Sequence, residues 1–107
     1  MEKVFEQSLD KPLKAVQDKI GKRVVKLNKK YHRGQGNNNL LFTWNKKKNT
    51  LILESDQFQI RGKIKFTQKK VKGYIEIPGI FRPLALIYQK KIVKEIQKEI
   101  NLFIEKL

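Results

Sequence analysis

The sequence contains no cysteine, a single histidine and a single tryptophan, and only ten acidic residues against twenty-five basic ones. Without cysteine there is no disulfide framework, no thiolate zinc site and no cysteine nucleophile. With His32 alone, a multi-histidine metal site within one chain is excluded as well. Long apolar runs are also missing. The longest, Leu84 to Tyr88, has five residues, far short of the ~20 needed to span a bilayer. The segment Met1 to Gln7 alternates charged with apolar residues and lacks the roughly 7–15-residue apolar stretch of a secretory signal. These absences predict a cytoplasmic chain with no transmembrane segment, no catalytic residues, no metal and no cofactor.

What is present fits one small basic domain. The 107 residues match the size of a single hydrophobic core, so residues 1–107 are expected to form one α+β domain. The net charge is +15, carried by 21 lysines and only 4 arginines. Genome composition alone can produce such a bias, since arginine is the better fork for phosphate.

Hydrophobic spacing divides the chain into seven segments. Lys3 to Gln7 reads as a short strand. Ser8-Leu9-Asp10-Lys11-Pro12 reads as a helix start, with Asp10 as the expected cap and a proline tolerated in the first turn. Leu13, Val16, Ile20, Val24, Leu27 and Tyr31 then recur at helical intervals and place one apolar face on about five turns. Arg33 to Asn39, rich in glycine and asparagine, ends that helix. Leu40–Trp44 and Thr50–Glu54 flank a polar connection of hairpin size, Asn45 to Asn49. Phe58, Ile60, Ile64 and Phe66 alternate with Gln59, Arg61, Lys63 and Lys65, a period of two. After Thr67 to Lys70, the residues Val71, Gly73, Ile75 and Ile77 alternate with Lys72, Tyr74 and Glu76, and Pro78-Gly79 stops the run. Val93, Ile96, Ile100, Phe103 and Leu107 restore helical spacing, with Glu95 and Glu99 assigned to a solvated side among lysines. The predicted fold is an α+β, four- to five-stranded antiparallel sheet with two helices packed on one face, in the order β-α-β-β-β-β-α. Its expected core is Val16, Ile20, Val24, Leu27, Phe58, Ile60, Ile64, Ile75, Val93, Ile96, Ile100 and Phe103.

Several of these residue patterns, in this order, resemble a known family. They are Phe5-x-x-Ser8-Leu9, Leu41-x-x-Trp44, Leu51-x-Leu53, Gly62-Lys63-Ile64, Ile75-x-Ile77-Pro78 and Ile100-x-x-x-Ile104-x-x-Leu107. Together they are similar to the polyhydroxyalkanoic acid system proteins, small bacterial polypeptides linked to polyester storage granules. The resemblance spans nearly the whole chain, which is more lysine-rich than that family. It implies a non-enzymatic binding protein whose partner is a granule surface or granule proteins.

Candidate catalytic groups read as ordinary surface. Glu54 and Asp56 are two apart at a strand end, as an acid/base pair requires, but a solvated strand end is the better reading. Glu95 and Glu99 have carboxylate-site spacing but no histidine at the required offset. His32 closes a helix, where an imidazolium favours the dipole. Gly34-x-Gly36 lacks the rest of a nucleotide fingerprint.

The basic surface is more informative. Residues 1–33 carry ten basic and four acidic side chains and residues 34–83 carry ten and three, so the first helix and the sheet hold +13 of the +15. Arg61, Lys63, Lys65, Lys72 and Tyr74 share the polar side of the predicted strands, a set suited to phosphates and a stacked base. Binding of RNA or single-stranded DNA is therefore the alternative to the granule reading. The apolar stretch containing Ile80, Phe81 and Leu84 offers a contact for a granule or for a second protomer in a homo-oligomer. A third reading is a small lipid- or acyl-binding domain, in which a curved sheet grips the terminal helix around a cavity.

Overall fold

A computed structural model describes residues 1–31, 40–55, 59–77 and 82–107, with the side chains of 82–86 and 88 outside the description. The elements follow the predicted order: β1 (Glu2–Ser8), α1 (Leu13–Tyr31), β2 (Leu40–Asn45), β3 (Thr50–Ser55), β4 (Arg61–Phe66), β5 (Lys70–Glu76) and α2 (Arg82–Glu105). All five strands join one antiparallel sheet in the order β1-β5-β4-β3-β2. The four later strands form a meander, and β1 returns to pair with the last of them.

Register explains why the sheet has one dry face. Residues opposite each other across antiparallel strands project to the same side. Phe42 faces Leu53, Leu53 faces Gly62 and Gly62 faces Ile75, while Leu51 faces Ile64 and Ile64 faces Gly73. These strand residues are buried. Both helices cover this face. Ile92, Val93 and Ile96 of α2 lie against Leu53, Ile64, Gly73 and Ile75, and the Phe103 ring stands edge-on to Phe66 at 6.5 Å. α1 runs beside β2, where the Tyr31 ring lies 6.0 Å from that of Phe42. Gly73 makes room on this face for the ring of Phe5, its register partner, because a Cβ there would collide with that ring.

Of the expected core, Val16, Ile20, Leu27, Ile60, Ile64, Ile75, Ile96, Ile100 and Phe103 are buried, whereas Val24 and Val93 are half-buried. Phe58 lies outside the described residues. The seam of α2 is turned slightly from the predicted one: Ile92 is fully buried and Glu99 sits in the seam beside Ile100. Two boundaries also move. β4 begins at Arg61 rather than at residue 58, because Gln59 takes a left-handed backbone (φ 51°) and the Ser55 N–H closes the connection on the Ile60 carbonyl at 2.9 Å. α1 starts at Leu13, with the Ala15 N–H bonded to the Pro12 carbonyl at 3.0 Å, so Asp10 stands ahead of the cap position predicted for it.

Candidate anion-binding face

The side of the sheet away from the helices carries the predicted basic residues, and strand register arranges them in rows. One row runs Leu41, Glu54, Arg61, Glu76 across β2 to β5. The next runs Thr43, Ile52, Lys63, Tyr74 and, on β1, Lys3. The third runs Asn45, Thr50, Lys65, Lys72, Glu6. The structure therefore brings Lys63, Lys65, Lys72 and Tyr74 together and sets Arg61 apart, in register between two carboxylates. Arg61, Lys63 and Lys65 are exposed, while Lys72 and Tyr74 are half-buried.

Two features of this face carry chemistry. Lys65 and Lys72 stand directly opposite each other, and like charges in that position are destabilising. Glu6, the register partner of Lys72, makes its hydrogen bonds to other lysines. Its carboxylate accepts from Lys3 and from Lys70, each at 3.2 Å, and these two bonds hold its pKa below the usual carboxylate value. The ammonium of Lys65 lies 5.5 Å from the centre of the Tyr74 ring, a cation–π distance.

Several cations were absent from the expected set because they arrive from turns. In a meander, alternate turns fall at the same end of the sheet. Asn45–Thr50 and Phe66–Lys70 are two such turns, tied together by the Phe66 N–H on the Asn49 carbonyl at 2.9 Å. Exposed Lys46, Lys47, Lys48 and Lys69 thus border the end of the sheet on which Lys65 and Lys72 stand. Asn49 suits the first turn, since asparagine tolerates the left-handed backbone found there (φ 49°).

Other candidates fall elsewhere. Glu54 is exposed; Asp56, His32 and Gly34 lie outside the described residues, as do Ile80 and Phe81, and Leu84 is described only in its backbone. Glu99 is not on a solvated face. It is 5% exposed and accepts from the Lys30 ammonium at 2.7 Å and from the Tyr31 hydroxyl at 3.1 Å. The same hydroxyl lies 3.1 Å from Glu95, and its one proton serves one carboxylate at a time. Burial on its own would raise the Glu99 pKa, but the bonds from Lys30 and Tyr31 outweigh it and hold the carboxyl below its ordinary value. Burial, followed by the Glu99 charge, pushes Tyr31 up to about 12. Charge patterning alone assigned Glu99 to solvent because lysines flank it; the signal for burial was its spacing, three residues after Ile96 and four before Phe103.

Between α2 and the strands the residual space is about 10 Å³, close to the volume needed for one water. Among the described residues, that part of the interface is filled by side chains. Among the described residues no group of three His, Asp or Glu side chains is placed to hold a metal ion, and no helix is long and apolar enough to cross a membrane. Comparison with protein-family models, curated proteins and solved structures finds no match.

Proposed function

We propose that this protein acts by binding rather than by catalysis, and that the open sheet face receives single-stranded nucleic acid. The observation that carries the reading is the Lys65–Lys72 pair, which makes no ion pair among the described residues, beside Lys63 and the Tyr74 ring. Phosphates fit the three ammonium groups, and the half-buried Tyr74 ring offers a face on which a base stacks. The lysine turns at the same end extend the positive field along the strand's path. Each neutralised phosphate releases counterions, so log affinity for an RNA homopolymer should fall with log salt by roughly 0.7 per contact. Five contacts amount to about a hundred-fold loss between roughly 50 and 200 mM salt. Changing Lys63, Lys65 and Lys72 to glutamine should flatten the slope by about two units, and Tyr74→Ala should lose a further ~1–3 kcal/mol. Arg61→Gln, between its two carboxylates, should matter least. Binding without salt dependence, or unaffected by the three lysine changes, would reject the reading.

A second reading rests on a different observation. Ile87, in the longest apolar run of the chain, is 72% exposed at the start of α2. With Ile80, Phe81 and Leu84 close by in sequence, it supports an apolar contact with a polyester granule or a granule protein, the setting implied by the resemblance to polyhydroxyalkanoic acid system proteins. Such association should persist or strengthen in sulfate. It should be lost in a Phe81→Ser, Ile87→Ser variant, and granule binding that survives both changes would eliminate it.

A further inference from the structure

An antiparallel sheet that does not close has two edges, and this fold treats its two edges differently. At β2, the side-chain amide of Asn28 donates to the Phe42 carbonyl at 2.9 Å and accepts from the Phe42 N–H at 2.7 Å. One side chain of α1 thereby satisfies both backbone groups of that edge residue. β1, at the opposite edge, has β5 as its only neighbour in the sheet, and among the described residues no element pairs with its outer side. From Phe5 to Ser8, past an irregularity in pairing between Lys3 and Phe5, such a row of backbone donors and acceptors is a template for another strand.

The space beside β1 is shaped and charged. α2 runs along this edge, and the Gln7 side-chain amide ties the two together by donating to the Asn101 side-chain oxygen at 2.7 Å. Away from that tie they diverge around a groove of about 540 Å³. Lys3 and Val4 line it from the strand, and Lys90, Lys91, Val93 and Lys94 from the helix, with Glu2 its one carboxylate. Val4 and Val93 are half-buried, whereas Lys90, Lys91 and Lys94 are exposed and make no ion pair among the described residues.

We propose that β1 accepts a short, extended, acidic peptide of a partner protein as a sixth strand. Strand addition supplies main-chain hydrogen bonds, and alternate side chains of the incoming segment fall on one side of the sheet. Those on the helix side meet Lys90, Lys91 and Lys94 around Val93, so the fitting sequence carries acidic residues at alternate positions, all on that side. The charge also decides against a second copy of this chain. A homodimer through β1 would bring two Lys-lined edges, each from a molecule of charge +15, into contact. Lysines on an edge repel basic strands and attract acidic ones. The proposal concerns a surface separate from the open sheet face and stands or falls independently of nucleic-acid binding there.

The test uses the full chain and a blocked heptapeptide alternating glutamate and valine. On titration, amide signals of β1 should shift, and the β1 amides that do not bond β5 should gain protection from hydrogen exchange. Exchanging Lys90, Lys91 and Lys94 together for glutamine should weaken binding roughly ten-fold, as three partly exposed charge contacts would. Two further peptides, N-methylated on one or the other set of alternate amides, separate backbone pairing from charge attraction. One set faces β1 and the other faces solvent, so one peptide should lose binding and the other keep it. Equal binding by both, or shifts centred on Lys63 and Tyr74 instead of β1, would overturn the proposal. Concentration-dependent dimerisation through β1 without peptide would overturn it as well.

Discussion

Glu99 shows how a single residue is set by its surroundings. A buried carboxylate is costly unless charge and hydrogen bonds compensate it, and here Lys30 and Tyr31 of α1 do so. This couples the two helices to pH at both ends. Because the folded-state pKa of Glu99 is lowered from 4.5, its contribution is present above that value and is lost as pH falls through the folded pKa. Tyr31 and Lys30 have raised pKa values, so their contributions are complete below the unfolded values of 10.0 and 10.5 and disappear as pH rises further. Urea midpoints measured from pH 7 to 12 should decline above about pH 10. Tyr31→Phe should cost about 1 kcal/mol at neutral pH and make that alkaline decline shallower. Gly73 supplies a second case. Alanine there must displace the Phe5 ring, so Gly73→Ala should destabilise by about 1–3 kcal/mol despite the better strand propensity of alanine. A thermal melt decides it, and a Phe5→Leu, Gly73→Ala double variant should recover part of the loss.

At the scale of elements, packing decides which of two similar residues matters. Ile92 and Ile100 lie in the buried seam of α2, whereas Val93, one residue along, is half-buried. Ile100→Ala and Ile92→Ala should each cost about 2–5 kcal/mol through lost burial and a residual cavity. Val93→Ala should cost clearly less, which chemical denaturation of the three variants will show. The β2 edge offers an independent check. Asn28→Ala leaves the Phe42 N–H and C=O without their partner, at about 1–3 kcal/mol. It also bares an edge strand, so the variant should aggregate faster than the parent in light scattering.

For the whole molecule, charge works against stability. Twenty-five cations and ten anions leave +15 on 107 residues, and self-repulsion of that size disfavours the compact state. Moderate salt should therefore raise the melting temperature while weakening nucleic-acid binding, an opposition that separates screening of repulsion from loss of the ligand. The Lys63, Lys65, Lys72 to glutamine variant should melt at or above the parent temperature while it binds least. If it melts well below the parent, those lysines serve the fold rather than a ligand.

Element order, the span of α1 and the polar side of the sheet were legible from periodicity alone. A period of two or of 3.6 is a local consequence of which face is dry, and Ile60, Ile64, Ile96, Ile100 and Phe103 carry that signal unaided. Lys63, Lys65, Lys72 and Tyr74 could likewise be assigned to one face, because alternate positions on a strand point the same way. What pairs with what could not be read, because register and helix docking depend on contacts between residues distant along the chain. Only the tertiary structure set Arg61 between Glu54 and Glu76, placed Lys65 opposite Lys72, buried Glu99 against Lys30 and Tyr31, and, among the described residues, gave β1 a single strand neighbour while Asn28 closed β2. Each of these joins segments by strand pairing or helix packing, and the energy of such contacts resides in no single segment.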